Sequence, residues 1–367
     1  MYLKKLSVTN FKSYCQDDFV FSDKINCFVG NNGVGKTNLL DAIHYLSFCK
    51  SYFNPLDSQN IRHNEDYFVV TGSFFRNDET IDLLQVIQKR NHRKKVLINK
   101  KEYERLADHI GRFPLVMISP YDRDLINDGS EHRRRYIDSV ISQFDKLYLD
   151  DLINYQKVLN QRNFLLKAFA EKNYFDVSQL EIWDEKLIES GSRIFEKRKT
   201  FLEKFTPIFR HYFSFISGED EKVDIVYESS LEGKDFGALL GESVQKDRAA
   251  QYTTAGIHKD DLAFMISGYP VKKFGSQGQQ KSFVIAIKLA QFDYTSSVKG
   301  YKPVILLDDI FDKLDDTRVE QLIHLVSENN FGQVFITDTS AERISKIFGQ
   351  LPIDHKIFTI SRAGQQT

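Results

Sequence analysis

Apolar positions along the chain follow two periods, and the changes between them divide it into segments. Ile25-Asn26-Cys27-Phe28-Val29 is a nearly continuous apolar run, the pattern of a short buried strand. Leu39, Leu40, Ile43 and Leu46 then recur at helical spacing. Residues 66–75, 81–88 and Val96-Leu97-Ile98 read as strands. From about 131 to 216 the period is helical. Leu149, Leu152, Ile153, Gln156, Leu159, Asn163 and Leu166 mark one face, 173–177 is a break, and Trp183, Leu187, Ile194 and Phe201 mark a second face. Each run covers about 24 residues, about 36 Å at 1.5 Å per residue. That predicts a short antiparallel helical arm, not a long coiled coil. From about 250 strand and helix patterns mix again. The expected fold class is α/β, with a discontinuous domain from 1–120 and 250–367 and a helical insertion over 121–249.

Composition adds boundaries. The chain has 367 residues, 41% hydrophobic and 28% charged, as in ordinary globular proteins. No apolar run approaches the roughly 20 residues of a membrane span, so no membrane role is expected for the chain itself. Met1-Tyr2-Leu3-Lys4-Lys5-Leu6 lacks the apolar core of a signal peptide. Cys15, Cys27 and Cys49 match no metal spacing, and a reducing cytoplasm is the expected compartment. A net charge of −1 gives no whole-molecule attraction to nucleic acid, so any such binding must use local patches.

Candidate chemistry begins at Gly30-Asn31-Asn32-Gly33-Val34-Gly35-Lys36-Thr37, the spacing G-x-x-x-x-G-K-[ST], with Asn38 following. It sits between the predicted strand and helix. Glycines let backbone N–H groups curl around an anion, and the helix N-terminus adds its dipole. Lys36 is placed for the β- and γ-phosphates and Thr37 for Mg²⁺. A nucleoside triphosphate is the implied ligand. The apolar run Tyr301–Leu307 ends in Asp308-Asp309. Strand-end carboxylates near a phosphate loop suit Mg²⁺, assigned to Asp308, and activation of water, assigned to Asp309. Ser276, Gln277, Gly278 and Gln279 open a further helix, a second anion-binding start. Three basic clusters are readable either as solvated faces or as phosphate contacts. They are Lys89, Arg90, Arg93, Lys94 and Lys95; Arg133, Arg134 and Arg135; and the helical Arg193, Lys197, Arg198, Lys199 and Lys204.

The order phosphate loop, helical insertion, Ser-x-Gly-Gln, Asp-Asp strand and Leu314-Asp315 resembles the ATP-binding-cassette class of ATPases, an ABC-type head. Within that class it is similar to the RecF family of bacterial recombinational repair proteins. The segments that carry the likeness are Asn10–Tyr14, Gly35–Ile43, Ser119–Asp122, Arg133–Asp138, Gly256–Leu262, Phe274–Gln280 and Leu306–Ile310. Tyr121, Ile257 and Lys259 depart from the residues usual there. The resemblance implies ATP and Mg²⁺ as ligands and an ATP-dependent head-to-tail homodimer. Ser276 and Gly278 of one subunit would cap the γ-phosphate held by Lys36 of the other. It also implies Asp122 at the metal and water, Asp315 crossing the dimer, Thr337 or Asp338 at the γ-phosphate switch position, and Lys12 as a further phosphate contact. The implied function is binding of gapped DNA at single-strand/double-strand junctions and recombinase loading with the RecO and RecR mediators. A transporter ATPase subunit and a chromosome-organising head are the competing readings. The Asp-Asp strand end and the helical insertion argue against the first, and the short arm against the second.

Overall fold

Alternating burial builds the first sheet. Strand Tyr67–Phe75 turns Phe68, Val70, Gly72 and Phe74 inward, and strand Ile81–Lys89 does the same with Leu84 and Val86. In the computed structural model, which describes residues 1–76, 80–218, 221–311, 316–327, 331–349 and 353–361, the chain divides into two units. The first holds Met1–Asp122, Phe215–Gly218 and Ile285–Thr367; the second holds Arg123–Ser214 and Glu219–Val284.

Among the described residues of the first unit, a six-stranded antiparallel sheet runs in the order Tyr14–Val20, Tyr2–Phe11, Tyr67–Phe75, Ile81–Lys89, Lys95–Ile98, Lys101–Glu102. A five-stranded parallel sheet runs in the order His355–Thr359, Ile25–Val29, Val334–Asp338, Val304–Leu307, Leu115–Ile118. Its inner strands are buried along their whole length, as parallel sheets covered on both faces require. Helix Lys36–Phe48 joins the two layers. Leu39, Leu40, Ile43 and Leu46 enter one core with Leu6 and Val70 of the first sheet and Phe28 and Phe335 of the second.

Helices dominate the second unit, with a three-stranded antiparallel sheet ordered Tyr269–Pro270, Asp261–Ile266, Val223–Glu228. The two long runs are helices Lys146–Glu171 and Val177–Ser217. Their faces differ from the expectation. Ile153 is 46% exposed and Gln156 is also exposed, while Tyr155, Val158, Leu159, Arg162 and Leu166 turn inward. The stripe is rotated because a charged residue sits in it. Arg162, fully buried, donates to Asp184 at 2.5 Å, Asp247 at 2.6 Å and Thr253 at 2.9 Å. The second helix has 41 residues, well beyond the expected two dozen, and runs through Pro207. Proline removes a helical hydrogen bond, but burial of Phe205, Phe209 and Phe213 carries the helix past it. Residues 250–284, grouped by the sequence with the α/β domain, make their contacts with the second unit.

Candidate nucleotide site and basic clusters

Strand Ile25–Val29 delivers the chain into the loop, and backbone geometry there demands glycine. Gly30 has φ +152°, and a Cβ would lie 2.4 Å from the Ile360 carbonyl oxygen. Gly35 has φ +109°, and its Cβ would lie 2.7 Å from Ser13 Oγ. The Asn10–Tyr14 segment braces this turn: Tyr14 donates to the Gly35 carbonyl at 3.1 Å, and Asn38 donates to Ser13 Oγ at 2.8 Å. Lys36 Nζ donates to the carbonyls of Gly30 at 2.8 Å and Asn31 at 3.1 Å, so the loop wraps its own ammonium. Asn32, Gly33, Gly35, Lys36, Thr37, Asn38 and Asp309 line one hollow. Val34 packs partly buried against the core.

Parallel pairing brings the second half of the chemistry to the loop. Thr37 Oγ1 and Thr337 Oγ1 each donate to Asp308 Oδ1 at 2.9 Å. Asp309 adopts a left-handed conformation, φ +43°, unusual for a residue with a Cβ. Its N–H donates to Thr337 Oγ1 at 2.7 Å, which holds it there. Burial pushes the Asp308 carboxyl up to about 6; the neighbouring Asp309 adds to this, and the two hydroxyls and Lys36 oppose it. The donor set suits a hard cation. A threonine hydroxyl and a carboxylate share one point, and Mg²⁺ characteristically takes one or two protein oxygens with substrate phosphates and water completing its shell. No cluster of three or more potential metal-ligating side chains occurs among the described residues.

Other expected site residues have protein partners of their own. Asp122 is buried. Lys288 pairs with its Oδ1 at 2.7 Å, Tyr52 donates to the same oxygen, and the Ser119 N–H donates to Oδ2 at 2.7 Å. Lys12 pairs with buried Asp41 of the helix at 2.5 Å. Ser276 and Gln279 form a reciprocal cap in the second unit: the Ser276 N–H donates to Gln279 Oε1 at 2.7 Å, and the Gln279 N–H to Ser276 Oγ at 3.1 Å. Gln277 is exposed beside it and Gly278 is partly buried. Asp315 lies outside the described residues.

The basic clusters separate by partner. Lys89, Arg90, Arg93 and Lys95 are exposed on the hairpin between strands Ile81–Lys89 and Lys95–Ile98. Arg90 also donates to the Glu65 carbonyl at 3.1 Å, and Lys95 lies 4.0 Å from Glu102. Lys94 turns inward, 2.7 Å from Asp57 and 3.1 Å from the Tyr45 hydroxyl. Arg133 grips Asp261 with two nitrogens at 2.7 and 2.9 Å, and Arg134 donates to the Asp260 carbonyl at 2.5 Å. Arg135 pairs with Glu131 on the surface. On the long helix, Arg193, Lys197 and Lys199 pair with Asp151, Asp145 and Glu232. Arg198 is buried against Asp138 and Asp260. The hairpin is the cluster with the most outward charge.

The family model for the RecF/RecN/SMC N-terminal domain matches residues 2–356. The DNA replication and repair protein RecF of Flavobacterium johnsoniae is 54% identical over 361 residues, covering 98% of this chain and 100% of that protein. That of Bacteroides fragilis is 47% identical over 360 residues, 98% and 96% of the two chains. The chain belongs to the RecF family. A solved structure of the recombination mediator protein RecF with ATP, of the RecFOR pathway, superposes with TM-score 0.90 at 32% identity, covering 100% of this chain and 97% of that one. The Smc head domain of Pyrococcus furiosus, at TM-score 0.59 and 18% identity, shares the fold. The architecture is therefore that of an ABC-type ATPase head carrying a helical insertion. Within this RecF-family chain, sequence reading passed over Lys288, Tyr52 and Asp41 around Asp122, and Arg162 in the second unit, and it read Arg198 as a solvated face or a phosphate contact where the structure buries it. The available signal was a charged side chain at an apolar helical position.

Proposed function

We propose that the protein is an ATP-dependent DNA-binding repair ATPase of the cytoplasm. It binds ATP with Mg²⁺, dimerises head to tail around the nucleotide, engages gapped DNA at single-strand/double-strand junctions, and with RecO and RecR promotes recombinase loading. Hydrolysis is slow and stimulated by DNA. The observation that carries this reading is the convergence of Lys36, Thr37, Asp308 and Asp309 at one phosphate loop in a chain whose family includes an ATP-bound RecF.

Lys36 binds the β- and γ-phosphates. Thr37 and Asp308 would hold Mg²⁺, which supplies neutralisation of phosphate charge. Asp309 accepts a proton from water, held in place by Thr337. The exposed hairpin supplies DNA backbone contacts, which are independent of sequence and sensitive to salt.

Two half-sites on one chain give the test. Ser276→Arg should leave ATP binding to the monomer intact and block dimerisation; Lys36→Met should bind no ATP. A mixed dimer has one composite site made of two intact halves, so ATP-dependent crosslinking should return in the mixture. Absence of mixed dimers at high concentration, with both variants folded, would count against the head-to-tail arrangement.

A further inference from the structure

A buried lysine paired to a carboxylate costs several kcal/mol of desolvation per ion unless partners satisfy both groups. The first unit contains such a pair, between Lys288 of helix Gln277–Lys299 and Asp122 at the end of the Ser119–Asp122 turn. Their side chains are 6% and 3% exposed. Tyr52 sits between them. Its hydroxyl donates to Asp122 Oδ1 and accepts from Lys288 Nζ at 3.1 Å, and the ammonium lies 5.5 Å from the ring centre. Asp122 therefore holds a fixed rotamer, with Oδ2 taken by the Ser119 N–H.

The polar contacts continue past Tyr52. Its N–H donates to Asp41 Oδ1 at 2.7 Å, and Asp41 Oδ2 accepts from Ser51 at 2.6 Å and pairs with Lys12. Asp41 lies one helical turn after Thr37, on the same helix. A continuous set of contacts thus runs from the helix that follows the phosphate loop to the Asp122 turn. Lys288 is the cation paired with Asp122 in it.

We propose that Lys288 is a positioning residue for ATP hydrolysis, fixing the Asp122 carboxylate through direct pairing and through Tyr52. The inference rests on the proposed ATPase reading and on the place at the metal and water that the resemblance implies for Asp122. Lys288 lines no part of the hollow, so its effect should fall on turnover and not on nucleotide binding. Asp122 and Lys288 act as one unit, so removing either should have the same consequence as removing both.

The test compares Lys288→Met, Lys288→Arg, Asp122→Asn and the double variant Lys288→Met/Asp122→Asn with the parent. Fluorescent-ATP binding, steady-state hydrolysis and thermal unfolding are measured on the full chain. Lys288→Met should lower kcat about tenfold or more while ATP affinity stays within about twofold. Lys288→Arg should recover most of the turnover. The double variant should turn over no more slowly than Asp122→Asn alone, and because it buries no unpaired charge it remains informative if Lys288→Met fails to fold. Multiplying losses in the double variant, or parent-like kcat in Lys288→Met, would overturn the inference and leave the ATPase reading standing. A parent chain that binds ATP but never hydrolyses it would overturn both.

Discussion

Thr37 and Asp308, far apart in the chain, meet at 2.9 Å, the hydroxyl donating to the carboxylate. The contact exists because strands Ile25–Val29 and Val304–Leu307 both pair in parallel with Val334–Asp338, so their carboxyl ends open to the same side. Each strand then delivers its polar group at one edge of the sheet, where ligands of such sheets collect.

Single substitutions around this contact should divide binding from chemistry. Lys36→Met should abolish ATP binding, since Lys36 lines the hollow and its ammonium is held within the loop. Asp309→Asn should bind ATP and turn it over about 100-fold more slowly or worse, the range for a lost general base. Asp308→Asn should lose Mg²⁺-dependent nucleotide binding first. Equilibrium binding and single-turnover hydrolysis separate the three, and parent-rate turnover in Asp309→Asn would remove it from the chemistry.

The hairpin can be tested against its own inward lysine. Replacing Lys89, Arg90, Arg93 and Lys95 with Gln should weaken binding to DNA of any sequence. The log–log salt slope should flatten by about one for each phosphate left without its cation. Lys94→Met should leave that slope unchanged and lower the melting temperature, because its ammonium is spent on Asp57 and Tyr45. Equal effects of the two changes on the slope would mean that Lys94 also reaches DNA.

Two buried histidines and one half-buried give a pH dependence. Burial lowers His44, His109 and His258 to about 4 each. His109 Nε2 donates to the Leu46 carbonyl at 2.7 Å, and its Nδ1 has no hydrogen-bond partner among the described residues, so a second proton would be stranded in the core. His258 Nδ1 accepts from Tyr155 at 2.8 Å, a bond whose direction protonation would reverse. The unfolded chain binds these protons near 6.5 and the folded chain near 4. Stability from this source is therefore complete above about 6.5 and is lost as pH falls toward 4. Each histidine contributes about 1.4 kcal/mol for every tenfold difference in proton affinity between the unfolded and folded chain, several kcal/mol for the three together. Urea unfolding at pH 7.5 and 4.5 measures the loss, and imidazole NMR assigns it. Resonances titrating near 6.5 in the folded protein would refute the assignment.

The phosphate loop is legible in the sequence because its requirements are contiguous: eight residues between a strand and a helix. The Asp308-Asp309 strand end is legible for the same reason. Asp122, put at the metal by resemblance, also pairs with Lys288, and the distance between them along the chain hides that pairing. Lys12, assigned to phosphate by resemblance, pairs with Asp41, a contact the sequence does not announce. The helical face of Lys146–Glu171 is misread by about one position because hydrophobicity alone cannot announce Arg162, whose three partners come from other segments. The second helix is marked in the sequence only from Trp183 to Phe201, and burial of Phe205, Phe209 and Phe213 continues it through Pro207.

The strand order has a consequence for synthesis. Ile25–Val29 pairs with Val334–Asp338 on one side and His355–Thr359 on the other. Leu115–Ile118, the other early strand of that sheet among the described residues, pairs with Val304–Leu307 and not with it. At about 5–20 residues per second, a ribosome needs on the order of 15–60 s between the first strand and its neighbours. Throughout that interval the apolar strand leading into the phosphate loop has no neighbour in its sheet to pair with, so the newborn chain depends on whatever shelters it until Val334–Asp338 and His355–Thr359 emerge.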